Sequence, residues 1–138
     1  MKPKLIYDPG YDYGRGVPGL PKKIHGFMRD KPSLIRAALL ASSRVEETDF
    51  SSPDPVDLAD LTAVQTAAVI AGLESSKAVA AAVELPPLAW LPSALVQHVV
   101  VNPQLKGAGG TCAAVAAAAE GQWAFNLSGG YHHARPDL

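Results

Sequence analysis

The order of segments near the end of the chain constrains the fold most. Residues 112–120 are rich in alanine, which favours a helix, and Thr111 and Gly121 suit its N-cap and its C-terminal stop. Residues 123–127 follow with the composition of a β-strand and end at Ser128-Gly129-Gly130, where glycine allows the backbone to turn sharply. A strand that follows a helix in this way predicts α/β layering.

The earlier residues extend this pattern. Residues 5–7 predict a short buried strand that is closed by turn residues, and residues 10–26 predict a long glycine- and proline-rich loop. Helices are expected from Pro32 for about ten residues, over 57–73 and over 75–84. Residues 96–101 have strand composition, although a helix is not excluded by the pattern, and Gly107, Gly109 and Gly110 predict a turn.

Composition limits the class of protein. The chain has 138 residues, enough for one domain, and 48% hydrophobic against 18% charged residues predicts a folded chain. A formal net charge of −1 gives no broad basic field for nucleic acid or an anionic membrane. The single cysteine and the absence of a signal-like or membrane-spanning apolar run lead us to expect a cytoplasmic protein without an intramolecular disulfide.

The pair His132-His133 carries the strongest chemical signal. It follows a strand-type segment, Gly129-Gly130 and Tyr131, and in open α/β sheets ligands bind beyond the carboxyl ends of the strands. Histidine has the pKa best suited to general acid–base work, and one imidazole could take a proton while the other stabilises charge. The alternative is a solvated turn with two accidental histidines. A zinc site made by the pair is disfavoured, because zinc needs at least three protein ligands.

Other residues give weaker signals of a chemical role. The glycines at 107–110 before Thr111 could cradle an anion, but no lysine follows them as in a phosphate loop, so a tight turn is preferred. Cys112 is expected to be a small core residue, and Trp90 and Trp123 are expected in the core. The charged residues Arg15, Lys22 and Lys23 are interpreted as a solvated part of the loop, whose Tyr11, Tyr13, His25 and Phe27 could line a pocket.

Several linked motifs resemble those of the zinc-dependent histone deacetylases and acetylpolyamine amidohydrolases. Residues 129–133, with the sequence GGYHH, look like the Gly-Gly-x-His-His motif of that family. Residues 5–7 with Tyr11, followed by His25-x-Phe27, are similar to its opening strand and its His-Pro-Phe segment. The order and spacing of the motifs agree across nearly the whole chain.

Together with residues 5–7, Tyr11 and His25-x-Phe27, two further segments narrow the resemblance to the class IV histone deacetylases. One is the run of leucines and prolines over 85–97, and the other combines Gly109-Gly110-Thr111 with Trp123-Ala124-x-Asn126. The resemblance implies an arginase/deacetylase-like fold, a doubly wound and mostly parallel sheet flanked by helices. It also implies zinc-dependent hydrolysis of acyl-lysine in proteins or of acylpolyamines.

By the same resemblance, His133 would be the general base and acid, and His132 its electrostatic partner. The substrate-pocket candidates are His25, Phe27, Gly130 and Tyr131. The complete family domain holds zinc through an Asp-x-His and a later aspartate, all C-terminal to the histidine pair. We therefore expect residues 1–138 to be a single, incomplete deacetylase-like domain that binds no zinc alone and is inactive, so that the enzyme label is uncertain.

The chain also departs from the family pattern at Gly26, where the family has proline, and over 65–69, where a His-Thr-x-x-Tyr stretch is common. An incomplete sheet would expose a strand edge, so we expect self-association. Two alternatives stay open. The chain could be a non-catalytic binding or scaffold module, or one half of a split deacetylase, and it could also be an unrelated small α/β protein with a chance histidine pair.

Overall fold

The structure is a computed structural model that describes residues 2–13, 23–24, 27–28 and 30–129. Its strands are β1 (Lys4–Ile6), β2 (Lys23–Ile24), β3 (Phe27–Met28), β4 (Phe50–Ser51) and β5 (Ala124–Asn126). Its α-helices are α1 (Lys31–Ala41), α2 (Leu58–Leu61), α3 (Ala67–Gly72), α4 (Ser76–Ala82), α5 (Ser93–Val96) and α6 (Asn102–Ala119). Short 3-10 turns cover Pro9–Tyr11, Glu47–Asp49 and Pro86–Trp90, and a π-helical turn covers Gln97–Val101.

Among the described residues, β4, β1 and β5 form a parallel sheet in that order. Leu5 of the central strand stands opposite Phe50 on one side and Phe125 on the other. Because all three strands run in the same direction, their carboxyl ends meet at one edge of the sheet. The strands β2 and β3 form a separate antiparallel pair in which Ile24 stands opposite Phe27.

Helices lie on both faces of this sheet. Side chains alternate along a strand, so Leu5 and Phe125 share one face while Ile6 and Asn126 share the other. The first face borders a cleft with Ile35 and Leu39 of α1. The second packs against α6, which contacts both β1 and β5. The predicted α/β class, with a parallel sheet flanked by helices, is therefore confirmed.

The core has two parts. Leu5, Ile6 and Tyr11 are buried at the sheet, and a second cluster joins Val79 of α4 to the valines at 96 and 99–101. The prediction of a strand over 96–101 was wrong, because these β-branched residues pack as one face of a helical segment against α4. The π turn ends two residues before Pro103, which has no N–H to donate to the carbonyl of Val99.

Four other predictions were wrong. The helix expected to begin at Thr111 begins at Asn102 and contains the glycines at 107–110, so no turn or helix N-terminus exists there to cradle an anion. The helix expected over 57–73 is two short helices, the second capped by the Thr66 hydroxyl. Trp90 and Trp123 are 90% and 72% exposed rather than in the core, and Cys112 is exposed as well.

Other predictions are confirmed. The strand predicted at 5–7 corresponds to β1, the helix from Pro32 to α1, the helix over 75–84 to α4, and the strand at 123–127 to β5. Pro32 sits in the first turn of α1, where its missing N–H costs nothing. Within the described ranges, no helix is both long and apolar enough to cross a membrane.

Candidate functional site at the carboxyl edge of the sheet

Asp8 lies at the centre of the carboxyl edge, two residues beyond β1. Its carboxylate accepts hydrogen bonds from the Gly10 backbone N–H at 2.6 Å and from the Ser52 hydroxyl, and Lys106 Nζ lies 3.3 Å from its Oδ2. Burial raises the pKa of Asp8, but the Ser52 and Gly10 hydrogen bonds and the Lys106 charge outweigh it, so the pKa lies below its usual range. Asp8 thus joins the segments after β1 and β4 to helix α6 as an ionised carboxylate.

A second carboxylate, Asp12, is held beside it by the start of α1. Its Oδ1 accepts from the Ser33 backbone N–H at 3.3 Å, and its Oδ2 accepts from the Ser33 hydroxyl. The hydroxyl of Tyr7 lies 2.9 Å from the same Ser33 oxygen. Asp12 is 9% exposed, and the two Ser33 donors replace the hydrogen bonds to water that its carboxylate loses on burial. The chain Tyr7–Ser33–Asp12 fixes α1 to the loop after β1.

The glycines of α6 explain how a helix comes so close to this edge. A Cβ at Gly109 would overlap the backbone oxygen of Asp54, which lies beyond β4. A Cβ at Gly110 would overlap the Tyr11 hydroxyl and Oδ1 of Asn126, and one at Gly107 would overlap the Ser128 hydroxyl. Three glycines cost a helix about 1 kcal/mol each relative to alanine. Their common role is close contact with the segments that end all three parallel strands.

Asn126, the last residue of β5, is bonded at both ends of its carboxamide. Its Nδ2 donates to the Gly107 carbonyl oxygen at 2.9 Å and to Thr111 Oγ1 at 3.2 Å. Its Oδ1 accepts from the Ser128 backbone N–H at 3.3 Å. The side chain therefore connects helix α6 with the turn that leaves the sheet.

Tyr11 lies next to this carboxamide. It is 1% exposed, and its hydroxyl has no hydrogen-bond partner among the described residues. Burial, and to a smaller degree the charge of Asp8, raises the pKa of Tyr11 far above its usual range. The Tyr11 hydroxyl therefore stays protonated and does not act as a base.

On the α1 face, a cleft of about 600 Å³ opens beside β5. Its walls are mostly apolar, with Leu5, Ile35, Leu39 and Phe125 among them. At the carboxyl edge the cleft reaches Asn126, Leu127, Ser128 and Gly129. The chain that leaves β5 therefore borders both the polar edge and an apolar cleft.

Five of the predicted site residues lie outside the described residues, so their roles stay predictions. They are His25, Gly130, Tyr131, His132 and His133. Phe27 belongs to β3 by its backbone. The described chain brings Gly129, three residues before His132, to the carboxyl edge of the sheet. Within the described ranges, no group of three or more His, Cys, Asp or Glu side chains is placed so that it could hold a metal ion.

Comparison with known proteins finds similarity to a histone deacetylase. Histone deacetylase 2 of Arabidopsis thaliana is 34% identical to this chain over 133 residues, which are 96% of this chain. The chain spans about a third of the length of that relative, 33%. No protein-family model and no solved structure matches the chain.

The match covers 96% of this chain, and it agrees with the arginase/deacetylase-like fold expected from the motifs. Sequence reasoning missed the roles of Asp12, Ser33 and Asn126. Asn126 was part of a recognised motif, but a lone asparagine at a strand end gives no signal of its partners on α6. Asp12 and Ser33 are 21 residues apart, so only the fold brings them together.

Proposed function

We propose that this chain forms the amino-terminal part of a zinc-dependent amide hydrolase of the histone deacetylase type. The proposed substrates are acyl-lysine in proteins or acylpolyamines. The strongest support is the 34% sequence identity with a histone deacetylase over 96% of this chain. The position of Gly129 at the carboxyl edge of a parallel sheet also supports the proposal. The histidine pair follows directly from that point.

In this proposal His133 acts as general base and acid, and His132 stabilises the charge that develops beside it. His25, Phe27, Gly130 and Tyr131 contribute to the substrate pocket. In the complete domain, a bound zinc ion would supply Lewis-acid chemistry for the acyl carbonyl and for water. Its ligands are proposed to come from sequence C-terminal to the pair, so the 138-residue chain alone is expected to be inactive. A cytoplasmic location likewise remains a prediction.

A chimera tests the proposal. This chain would replace the matching 133 residues of the Arabidopsis protein, and zinc-dependent release of acetate from an acetyl-lysine peptide would be measured. We expect activity, and we expect His133→Ala to lower kcat by about a hundredfold or more, the usual contribution of general acid–base catalysis. Lys77→Ala, at an exposed lysine of α4, is the control and should keep the activity. A folded chimera without activity, beside an active parent, would contradict the proposal.

A non-catalytic binding module or one half of a split deacetylase is the second candidate. It is favoured by the outer edge of β5, which has no partner strand among the described residues, and by Phe125, 54% exposed on that strand. Mixing the chain with a separately produced C-terminal part of the Arabidopsis protein separates the cases. A stoichiometric complex with zinc-dependent activity supports the split enzyme, and a complex without activity supports the binding module.

A further inference from the structure

We infer that Asn126 is a positioning residue for the site, because its carboxamide sets the path by which the chain leaves β5. The contacts that carry this inference are independent of catalysis. That the positioned groups are the catalytic His132 and His133 rests on the proposed function.

The geometry of Asn126 is specific to an asparagine. The same side chain donates from Nδ2 to a helix carbonyl, that of Gly107, and accepts at Oδ1 from the N–H of Ser128. Aspartate has no donor for the first contact, and an apolar residue of the same size has neither group. The Gly107 carbonyl can only accept, so it fixes which end of the amide faces the helix, and Thr111 Oγ1 accepts a second bond from the same nitrogen.

The glycines of α6 are fitted to this side chain and to the turn. Any Cβ at Gly110 would occupy the space of Asn126 Oδ1, and any Cβ at Gly107 would occupy the space of the Ser128 hydroxyl. The Gly107 residue that leaves room for Ser128 also supplies the carbonyl that holds Asn126. Gly107 therefore fixes both the Asn126 side chain and the position of Ser128 in the turn.

A role of this kind differs from general stabilisation of the fold. The sheet register depends on backbone bonds, such as Lys4 N–H to the Trp123 carbonyl at 2.7 Å and Leu127 N–H to the Ile6 carbonyl at 2.9 Å. None of these bonds uses the Asn126 side chain. Loss of the carboxamide should therefore loosen the turn from Ser128 onward and leave β5 paired with β1.

Amide hydrogen exchange in the 138-residue chain tests the contacts without any need for activity. In Asn126→Ala we expect the protection of the Ser128 amide to fall about threefold to tenfold, the loss typical of one hydrogen bond, with the amides of β1 and α6 unchanged. Thr111→Val is the matched control, because Gly107 remains as acceptor, and the protection should stay within about twofold.

A rescue pair covers the case in which the Asn126→Ala variant fails to fold. Gly107→Ala favours the helix itself by about 1 kcal/mol, so any loosening of the turn must come from the collision with Ser128. We expect Gly107→Ala to lower protection at the backbone amide of residue 128, and the further change Ser128→Gly to restore it. Unchanged protection in Gly107→Ala, or no recovery in the double variant, would overturn the inference.

The chimera supplies the catalytic readout. Asn126→Ala should lower kcat roughly tenfold to a hundredfold through misplacement of the histidines, with KM changed less than about threefold. Equal kcat in the variant, beside a loosened turn, would overturn the positioning role. If the chimera that carries Asn126 is inactive while the exchange results are as expected, the proposed function is refuted. The contacts inferred for Asn126 are then still supported.

Discussion

The side-chain ammonium of Lys106 lies 3.3 Å from Oδ2 of Asp8 and so joins helix α6 to the turn after β1. The same carboxylate oxygen accepts from Ser52, which follows β4. One partly buried carboxylate therefore connects a helix with the ends of two parallel strands. Together with the Asn126 contact at the end of β5, it accounts for how α6 holds the whole carboxyl edge.

Replacement of Lys106 by methionine should make the chain more sensitive to acid. The pKa of Asp8 in the folded chain lies below its ordinary value of 3.8, so the stability it contributes is present above that value and is lost as pH falls through the folded pKa. Without the Lys106 charge the folded pKa rises toward the ordinary value, and acid unfolding should begin at higher pH. Circular dichroism during an acid titration measures this. Lys77→Met, at an exposed lysine of α4, should leave the transition in place.

Ser33→Ala should lower the free energy of unfolding by about 1 to 3 kcal/mol, because the buried Asp12 carboxylate loses a charged hydrogen bond and Tyr7 loses its partner. Urea unfolding followed by fluorescence or circular dichroism gives the value. Ser93→Ala, at an exposed serine in the first turn of α5, serves as the comparison and should change stability by less than about 0.5 kcal/mol. Equal stability of both variants would show that the Asp12 contact contributes little.

Gly109→Ala should destabilise the chain although alanine favours a helix. The added Cβ would overlap the backbone oxygen of Asp54, and backbone cannot move aside as a flexible side chain does. We expect a net loss of roughly 1 to 3 kcal/mol, typical of overpacking. Gly129→Ala is the matched control, because a Cβ there meets nothing within 4 Å. A more stable Gly109→Ala variant in urea unfolding would show that α6 does not lie as close to the segment after β4.

The contrast between α1 and α6 shows which parts of the fold were predictable from sequence. Pro32 and the apolar spacing after it are local signals, and they placed α1 correctly. Glycine is a local signal for a turn, and at 107–110 it misled, since these glycines serve contacts with residues as distant as Asp54 and Tyr11. The valines of 96–101 misled in the same way, because their burial against α4 decides their conformation.

The same division holds for the candidate site. The segment leading to the histidine pair was recognisable, because a strand followed by glycines is a local pattern, and β5 confirms its beginning. The Asn126 and Asp12 contacts were not recognisable, because each joins residues far apart in sequence. The chemistry of His132 and His133 remains a prediction for the chimera to test.

Self-association of the 138-residue chain through β5 is the last prediction. Lys4 and Ile6 bond to the backbone of residues 123 and 127, and in a parallel ladder the backbone groups of Ala124 and Asn126 then face away from β1. No described strand covers that edge, and unpaired edges beside exposed aromatic residues pair with other chains. We expect oligomers by light scattering after size exclusion at micromolar concentration.

Phe125→Lys should shift this distribution toward monomer, because a lysine on the edge strand opposes pairing between copies. Trp90→Lys is the matched control, since Trp90 is more exposed than Phe125, 90% against 54%, but lies on a 3-10 turn away from the sheet. If both variants dissociate equally, exposed apolar surface in general drives association and the edge has no special role. A monodisperse monomer of the unmodified chain would show that the edge of β5 is covered, and the prediction would then be wrong.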